Sequence, residues 1–512
     1  MSRRTMFVKG VIAMGTALLV VFGAQSLLPL VSYPPARIAA LLLNLVPGDF
    51  STLMIERLGP FALRGFGIGV NVAVIVAGGL IAGWIHKAGT DASRARRALA
   101  VAGAAFVGSI LLAFGDIGGV SLIEAVIYFA AALVFAVVVL DTPLLAAVEP
   151  KPIEGDETPL DAIARSRRRF VTRAAWGLGI LVGGGSVLRA VLTRRNTPKV
   201  TIVEAARKFV APAGGDFPVI PGHTPEITPV EDFYNVDINI VKPVVDHVGW
   251  EVKIHGLVEA PYSLDYRSMQ NDFEVVEMAH TLTCISNAVG GDLIGTAIWR
   301  GVRLRDVLER ATLKDGIVDI VFRGAEGYSD SIPLAEALQS DTLLVFGMNG
   351  EALTTEHGFP ARIIVPDIYG MKNVKWLTEI EAVDIDYQGY WMVRGWSDEA
   401  IVKTQSRFDV PRDNATVKRG ARLAGVAWAG DRGIRRVEIS TDRGRTWKPA
   451  VLKRELSNRT WRLWAAELES GTGKVRVMVR AVDGEGDVQT AEGSRPHPSG
   501  ATGHHLLDLT VE

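Results

Sequence analysis

Cysteine is almost missing from this chain: 512 residues contain one, Cys284. That scarcity excludes an intrachain disulfide in any compartment, a four-cysteine iron–sulfur cluster and a Cys-x-x-Cys-His haem attachment. Histidine is sparse as well, with nine in all, and His86 alone lies near the long apolar runs. A haem held between helices usually needs paired axial histidines, so none is expected. A net charge of either sign is also lacking, since 55 Lys and Arg against 56 Asp and Glu leave −1. Nothing therefore points to nucleic acid or to global electrostatic steering. The lone cysteine is either a small buried hydrophobe or a residue with a chemical task.

What the chain does have is distributed unevenly. Hydrophobic residues make up 48% although 22% are charged, and the apolar ones crowd into the first 190 positions. Four runs there approach the ~20 residues that span a bilayer: Val11–Val31, Gly65–Ile85, Ala98–Gly115 and Ile117–Leu140. A fifth, Ala174–Leu188, is Gly-rich and extends toward Leu192. Further spans follow the first, so it is not read as a cleaved signal peptide. Basic residues cluster at Arg3, Arg4 and Lys9, at His86, Lys87, Arg94, Arg96 and Arg97, and at Arg165, Arg167, Arg168 and Arg169. If all five runs span, these three clusters share one side, expected to be cytoplasmic. Residues beyond the fifth run then lie outside the cytoplasm; Arg194 and Arg195 run against that rule. Within Ser32–Arg64, the stretches Ile38–Val46 and Leu53–Leu58 read as interfacial helices broken at Pro47 and Gly48. Glu124 is either an intramembrane proton or quinone group or a side chain reaching the nearby interface, and the interface is the expectation.

Ser166-Arg167-Arg168-Arg169-Phe170-Val171 precedes the fifth run and resembles a twin-arginine export signal. Such export carries domains already folded around a cofactor. A linker rich in Pro and Gly follows, Asn196–Asp232. From Phe233 the chain alternates short strands (Trp250–His255, Ile317–Phe322, Arg362–Val365) with short helices (Val302–Ala311, Leu334–Leu338), an α+β pattern. From Pro411 it turns all-β, with strands at Leu423–Trp428, Ile434–Ser440, Trp461–Leu468 and Val475–Val482 between Gly/Asp turns.

Six segments in this central region carry a resemblance. They are Ala279-His280-Thr281-Leu282-Thr283-Cys284-Ile285-Ser286-Asn287, Ile298-Trp299-Arg300-Gly301-Val302-Arg303-Leu304, Tyr328-Ser329-Asp330-Ser331-Ile332-Pro333-Leu334, Met348-Asn349-Gly350, His357-Gly358-Phe359-Pro360-Ala361-Arg362, and Tyr369 through Trp376. Their order and spacing resemble the sulfite oxidase family of molybdopterin-dependent oxidoreductases. The resemblance implies a molybdenum–molybdopterin cofactor with Cys284 as the thiolate ligand to the metal, a soft donor suited to it. It implies cofactor contacts from Tyr234, Asn235, His357, Arg362 and Lys375, with backbone groups at Asn373 and Val374, and a catalytic Tyr328 beside the metal. It also implies an immunoglobulin-like domain at the C-terminal end, which mediates dimers in many relatives and whose tryptophans are expected in the sandwich core. The expected organisation is an all-α transmembrane bundle (1–192), a linker (193–232), an α+β molybdopterin-binding domain (233–408) and an all-β sandwich (411–512).

One position departs from the family. Sulfite oxidases carry an arginine four residues after the cysteine, and here Ala288 stands there, followed by Val289-Gly290-Gly291. Arg300, Arg303 and Arg407 are the candidates to replace its charge. The expected activity is oxygen-atom transfer on a small oxo-acceptor or oxo-donor, with electrons passing to a separate protein or a quinone. Two alternatives stay open: reduction of methionine sulfoxide or another S-oxide on the same fold, and a membrane-anchored binding protein that has lost the metal.

Overall fold

The computed structural model describes residues 3–27, 33–45, 61–87, 90–113, 122–140, 200–212, 217–239 and 242–512. The fifth apolar run, the twin-arginine-like motif, Arg194, Arg195 and the stretch Leu53–Leu58 lie outside the described residues. The chain divides into two compact units.

The first unit is helical: α1 (Arg3–Leu27), α2 (Pro34–Leu45), α3 (Phe61–His86), α4 (Asp91–Ala113) and α5 (Leu122–Leu140). Four of these fall on the four long apolar runs, and α2 on the shorter expected helix. Among the described residues one stretch, Gly65–His86, is long and apolar enough to cross a membrane, and Met6–Phe22 and Glu124–Ala136 are shorter apolar stretches. The contact of α1 with α3 is made by small residues. A Cβ at Gly78 would lie 2.5 Å from Met14 Cβ, and one at Gly10 would collide with the Gly78 carbonyl, so the backbones approach as only glycine allows. Ile68, Val72, Val76, Leu80 and Trp84 form an exposed stripe along α3 at helical spacing. Glu124 corrects its expectation: it is 3% exposed and accepts a hydrogen bond from the Tyr128 hydroxyl at 2.9 Å. The turn that separates them in sequence, i to i+4, stacks the phenol over the carboxylate.

The second unit carries two sheets and a sandwich. One sheet is ordered β2 (Tyr262–Asp265), β1 (Glu251–Gly256), β10 (Leu377–Val383), β5 (Asp319–Gly324), β6 (Ser329–Pro333), with β1 and β10 parallel. The other is β3 (Val275–Thr283), β4 (Ile294–Arg303), β7 (Leu343–Met348), β8 (Glu351–Ala352), with β9 (Arg362–Ile364) also on β7. The first sheet has one open face, since β1 alternates exposed and buried residues; the second is buried on both, and its β7, Leu-Leu-Val-Phe-Gly-Met, has no exposed residue, the continuous apolar pattern of a strand covered on both sides. The helix expected over Val302–Ala311 begins at Leu304, because β4 continues to Arg303. The Pro- and Gly-rich segment before Asp232 is not free. Ala206 donates to the Val275 carbonyl, Glu277 to the Arg207 carbonyl and Thr228 to the Thr296 carbonyl.

The sandwich pairs β11 (Gln405–Val410), β13 (Arg422–Trp428), β17 (Arg462–Glu467) and β16 (Val451–Leu452) against β12 (Thr416–Val417), β19 (His505–Val511), β18 (Gly473–Asp483), β14 (Ile434–Ser440) and β15 (Lys448–Pro449). Alternate residues from both sheets, among them Phe408, Leu423, Trp464, Val437, Val477 and Leu507, fill its core. The tryptophans divide in a way their sequence positions do not show. Trp464 lies in the sandwich core, whereas Trp428 and Trp461 join the core of the two preceding sheets. Strand β3 is clasped there: Thr281 N–H donates to the Arg459 carbonyl at 3.0 Å, and Trp461 N–H donates to Thr281 Oγ1 at 2.8 Å.

His280, beside that clasp, is wholly buried, and neither ring nitrogen has a hydrogen-bond partner. Burial, helped by the nearby Arg459 charge, pulls its pKa down to about 3. The unfolded chain binds a proton at this histidine below about 6.5, while the folded chain stays neutral until about 3. Stability is therefore complete above that range and falls as pH drops through it, by at most ~1.4 kcal/mol per pH unit from this residue. Thermal unfolding of detergent-solubilised wild type and His280→Leu between pH 7 and pH 4 should show the variant losing less stability toward acid. Parallel curves would refute the assignment.

Candidate functional site

The β-branched, buried strand β3 delivers Cys284 to the point where the chain turns. Cys284 N–H donates to the Leu293 carbonyl, its own carbonyl accepts from Asn287 N–H, and Asn287 Oδ1 accepts from Leu293 N–H at 3.0 Å. These bonds close a loop over residues 284–293. Within it Gly290 has φ +76°, and a Cβ there would sit 2.5 Å from His505 Nε2, so the loop lies against β19. Cys284 is buried, with Sγ 2.9 Å from Ser286 Oγ. Burial pushes the thiol up, and the Ser286 hydrogen bonds oppose this only partly. A bound metal cation would reverse that balance, since coordination removes the thiol proton.

Three tyrosines are within electrostatic reach of the thiol. Tyr234, stacked on Phe233 with ring centroids 5.4 Å apart, and Tyr328 are both raised far above the ordinary phenol range, by burial first and by a thiolate at 284 as well. Tyr369 is pushed up to about 12, again by burial first. Gly370 brings the next turn against this group: a Cβ there would be 2.5 Å from Tyr234 Oη and 3.2 Å from the Thr283 carbonyl. The Tyr328 hydroxyl, expected beside the metal, has two protein acceptors in reach of its proton, Asp330 Oδ2 and the Met371 carbonyl, each at 2.9 Å. Its oxygen keeps lone-pair capacity for another donor.

The expected cofactor contacts gather around Arg362. This residue is buried; its guanidinium donates to the carbonyls of His357 (3.3 Å) and Asn373 (3.1 Å) and lies 5.3 Å above the Trp299 ring. Among the described residues its Nε has no partner and no carboxylate pairs with it, and burial pulls its pKa down to about 10. Tyr234 feels both this cation and the cysteine. His357 holds the Val230 carbonyl through Nε2 at 3.0 Å, and burial lowers it to about 4, so it is neutral at pH 7. Lys375 Nζ reaches Asn235 Oδ1, Asp237 Oδ2 and the Glu356 carbonyl, all at 3.2 Å. Backbone capacity at Asn373 and Val374 is narrower than expected. The N–H of Asn373 goes to Gly370 and its carbonyl to Arg362, while the Val374 carbonyl accepts from Ile363.

The three arginines proposed to replace a charge at Ala288 are engaged elsewhere. Arg300 makes two hydrogen bonds to Glu277 Oε1, at 2.9 and 2.6 Å, and Arg303 pairs with Glu274 at 2.5 Å. Arg407 does reach the cysteine loop, donating to the Gly291 carbonyl at 2.6 Å, but Asp409 neutralises it at 2.8 Å. A cavity of about 30 Å³ opens beside this loop, walled by Asn287, Ala288, Tyr369, Arg407, Trp428 and Gln489. It offers space for water-sized groups. Asp330, Lys372, Tyr369 and Glu326 were not singled out from sequence. Lys372 lies inside one of the quoted segments, but only the fold reveals that it is buried between two aspartates, Asp330 and Asp398.

A buried guanidinium without a counter-ion is costly unless an anion completes it. The donor set at Arg362 and Lys375, beside a soft thiol, therefore fits an anionic, metal-bearing pterin. Arg362→Met tests this fit. The variant should raise or preserve the thermal stability of cofactor-free protein, because an apolar side chain replaces an unpaired charge. The same variant should lose most of its pterin when produced in a loading host. A less stable apo protein that still retains pterin would contradict it.

Comparison with known proteins points the same way. The oxidoreductase molybdopterin binding domain matches residues 239–391, and the Mo-co oxidoreductase dimerisation domain matches residues 397–495. The sulfite oxidase of Arabidopsis thaliana is 30% identical over 328 residues, covering 51% of this chain and 82% of that protein. The mitochondrial sulfite oxidase of Drosophila melanogaster is 31% identical over 51% of this chain and 55% of its own length, so the chain spans about half of that relative. Among solved structures, the sulfane dehydrogenase SoxCD from Paracoccus pantotrophus aligns with 72% of this chain and 99% of that one, with a TM-score of 0.50 at 18% identity, a likeness of fold. With its cysteine loop, its buried arginine that no described carboxylate pairs and these relatives taken together, the chain belongs to the sulfite oxidase family of molybdenum-cofactor oxidoreductases.

Proposed function

We propose that this oxidoreductase is anchored in the cell membrane by its helical unit and transfers an oxygen atom to or from a small, uncharged substrate outside the cytoplasm. The carrying observation is the charge arrangement near Cys284. Among the described residues around the site, Arg362 is the cation that no carboxylate pairs, and the cofactor would account for it. Lys372 is held by Asp330 at 3.2 Å and Asp398 at 2.6 Å, Lys375 by Asp237 and Arg407 by Asp409. An incoming oxyanion would meet a loop of Ala288, Val289, Gly290 and Gly291 and cations already neutralised. An uncharged thioether, sulfoxide or sulfane sulfur would leave no charge unpaired. The S-oxide reductase alternative is favoured by the same observation.

When bound, the molybdenum cofactor supplies oxo exchange and two-electron redox chemistry. The chain's own residues hold and shape it. Cys284 provides the thiolate to the metal, and Arg362, Lys375, His357, Asn235 and Tyr234 line the pterin, with Asn373 and Val374 behind them. Tyr328 stays a neutral phenol that positions a polar group at the reacting centre. The described residues contain no second redox centre, so a separate electron-transfer protein or a quinone is assigned that task. The C-terminal sandwich would make the enzyme a homodimer.

Anchoring is supported by the exposed apolar stripe of α3, which in water would be a liability, and by the glycine contact of α1 with α3, the packing favoured between helices in lipid. The basic residues of Lys87–Arg97 support a cytoplasmic side for that loop. The twin-arginine-like motif at Ser166–Val171 gives a folded, loaded catalytic unit a route across.

Two measurements test this reading. Detergent-purified wild type from a host that makes molybdenum cofactor should hold close to one molybdenum and one pterin per chain, and Cys284→Ser should lose the metal or change its electronic spectrum. No metal or pterin in folded wild type, from a host shown to load a control enzyme, would leave the binding-protein alternative. With loaded enzyme and a dye as electron acceptor or donor, kcat/KM for an uncharged thioether or sulfoxide should exceed that for sulfite at least tenfold. A preference for sulfite would overturn the substrate class and leave the cofactor assignment intact.

A further inference from the structure

Behind Tyr328 lies a line of titratable groups that cofactor binding does not use. The Tyr328 hydroxyl donates to Asp330 Oδ2 at 2.9 Å. Asp330 is completely buried on β6; its other oxygen accepts from Ser331 N–H at 2.9 Å and lies 3.2 Å from Lys372 Nζ. Lys372 is 2% exposed and donates onward to Asp398 Oδ1 at 2.6 Å. The Asp398 side chain is 37% exposed. A packing ion pair needs one carboxylate, yet Lys372 has two, and the buried one also serves a phenol.

We propose that Tyr328, Asp330, Lys372 and Asp398 form a proton relay between the reacting centre and solvent. This rests on the oxygen-atom-transfer reading. Oxidising a substrate with an oxygen atom taken from water releases two protons and two electrons; the electrons go to the external acceptor, and the protons must leave a closed site. In each transfer Tyr328 Oη takes a proton on its free lone pair and passes its own to Asp330. Asp330 takes that proton on Oδ2, turns about its Cβ–Cγ bond so that the proton faces Lys372, and passes it on as Lys372 releases one to Asp398, which gives it to water. Every group ends as it began, and the phenol never carries a lasting charge. In the reductive direction the same steps run inward.

The electrostatics suit an intermediate carrier. Burial pushes Asp330 up to about 6, while Lys372, the Tyr328 hydroxyl and Ser331 N–H hold it from rising further. The charged groups facing the line are few: Lys372 on Asp330, Asp398 on Lys372, and Glu326 and a Cys284 thiolate on Tyr328. With Asp330 protonated, Lys372 and Asp398 remain a neutral pair; with it ionised, Lys372 is shared. The two carboxyl oxygens are chemically equivalent, so a half-turn of the Asp330 carboxyl restores the same contacts after each transfer.

The test compares fully loaded wild type with Asp330→Asn, Lys372→Met, Asp398→Asn and Asp398→Glu, each with molybdenum and pterin measured. Infrared difference titration should show a buried carboxyl changing near pH 6 in wild type and absent in Asp330→Asn, a readout independent of turnover. Asp330→Asn and Lys372→Met should lower kcat at least tenfold with KM changed less than twofold. They should also remove the limb of the pH profile near 6 and raise the solvent isotope effect. Asp398→Asn should act in the same direction, and Asp398→Glu should restore most of the rate. Loaded variants with wild-type kcat, pH profile and isotope effect would reduce the line to a structural ion pair and overturn the relay. A wild type without molybdenum would instead overturn the function on which it rests, whatever the carboxyl titration shows.

Discussion

The site depends on how firmly β3 is held three residues before its cysteine. Thr281 is bonded through its N–H to the Arg459 carbonyl and through its hydroxyl to Trp461 N–H, and the same hydroxyl meets Thr296 on β4. The strand is thereby fixed to its sheet neighbour and to the sandwich at one residue. A metal ligand must be placed to within a fraction of an ångström to be useful, and a strand clasped on two sides gives that rigidity where a loop alone would not. The position of Trp461 in the catalytic core, with its indole N–H on the Glu226 carbonyl at 2.8 Å, follows from the same clasp.

Charge is distributed around this fixed point in two ways. Arg362 is buried with polar partners and, among the described residues, no counter-ion, a costly state that a bound anion would relieve. Lys372 is buried with two counter-ions, so it attracts nothing further. Ten residues apart, one buried cation is thus left open to an anion and the other is closed by two carboxylates. What distinguishes them is the presence of Asp330 and Asp398, neither of which touches the cysteine.

Much of this was legible in the residues, and the remainder was not for identifiable reasons. Apolar runs and period-two patterns placed the helices on their segments and the strands at Ile434–Ser440 and Val475–Val482 to within a residue or two, because burial of one face writes itself into local sequence. Partnership is not local. Glu124 reads as an interfacial carboxylate until the fold buries it beside Tyr128. Arg300, Arg303 and Arg407 read as free cations until Glu277, Glu274 and Asp409 come beside them. Trp428 and Trp461 follow the strand pattern of the sandwich, yet their indoles lie in another core, since the pattern records that a residue is buried and not against what. The quoted segments did converge: Tyr234, Asn235, Arg362, Lys375 and the cysteine loop lie around one centre, although the Asn373 and Val374 backbones have less to offer than sequence order suggested.

The contact of Gly290 with His505 has a consequence for assembly. The loop that follows Cys284 is shaped on one side by a histidine more than two hundred residues further along, on β19, the strand next to the edge of a five-stranded sheet. While the chain is being made, β3 and β4 can pair long before β19 exists, but the cysteine loop lacks its wall until then. The cysteine loop is thus completed late, and its finished shape becomes a sign that the sandwich has folded. That ordering doubles as inspection: in a chain with an unformed sandwich the loop has no wall on that side.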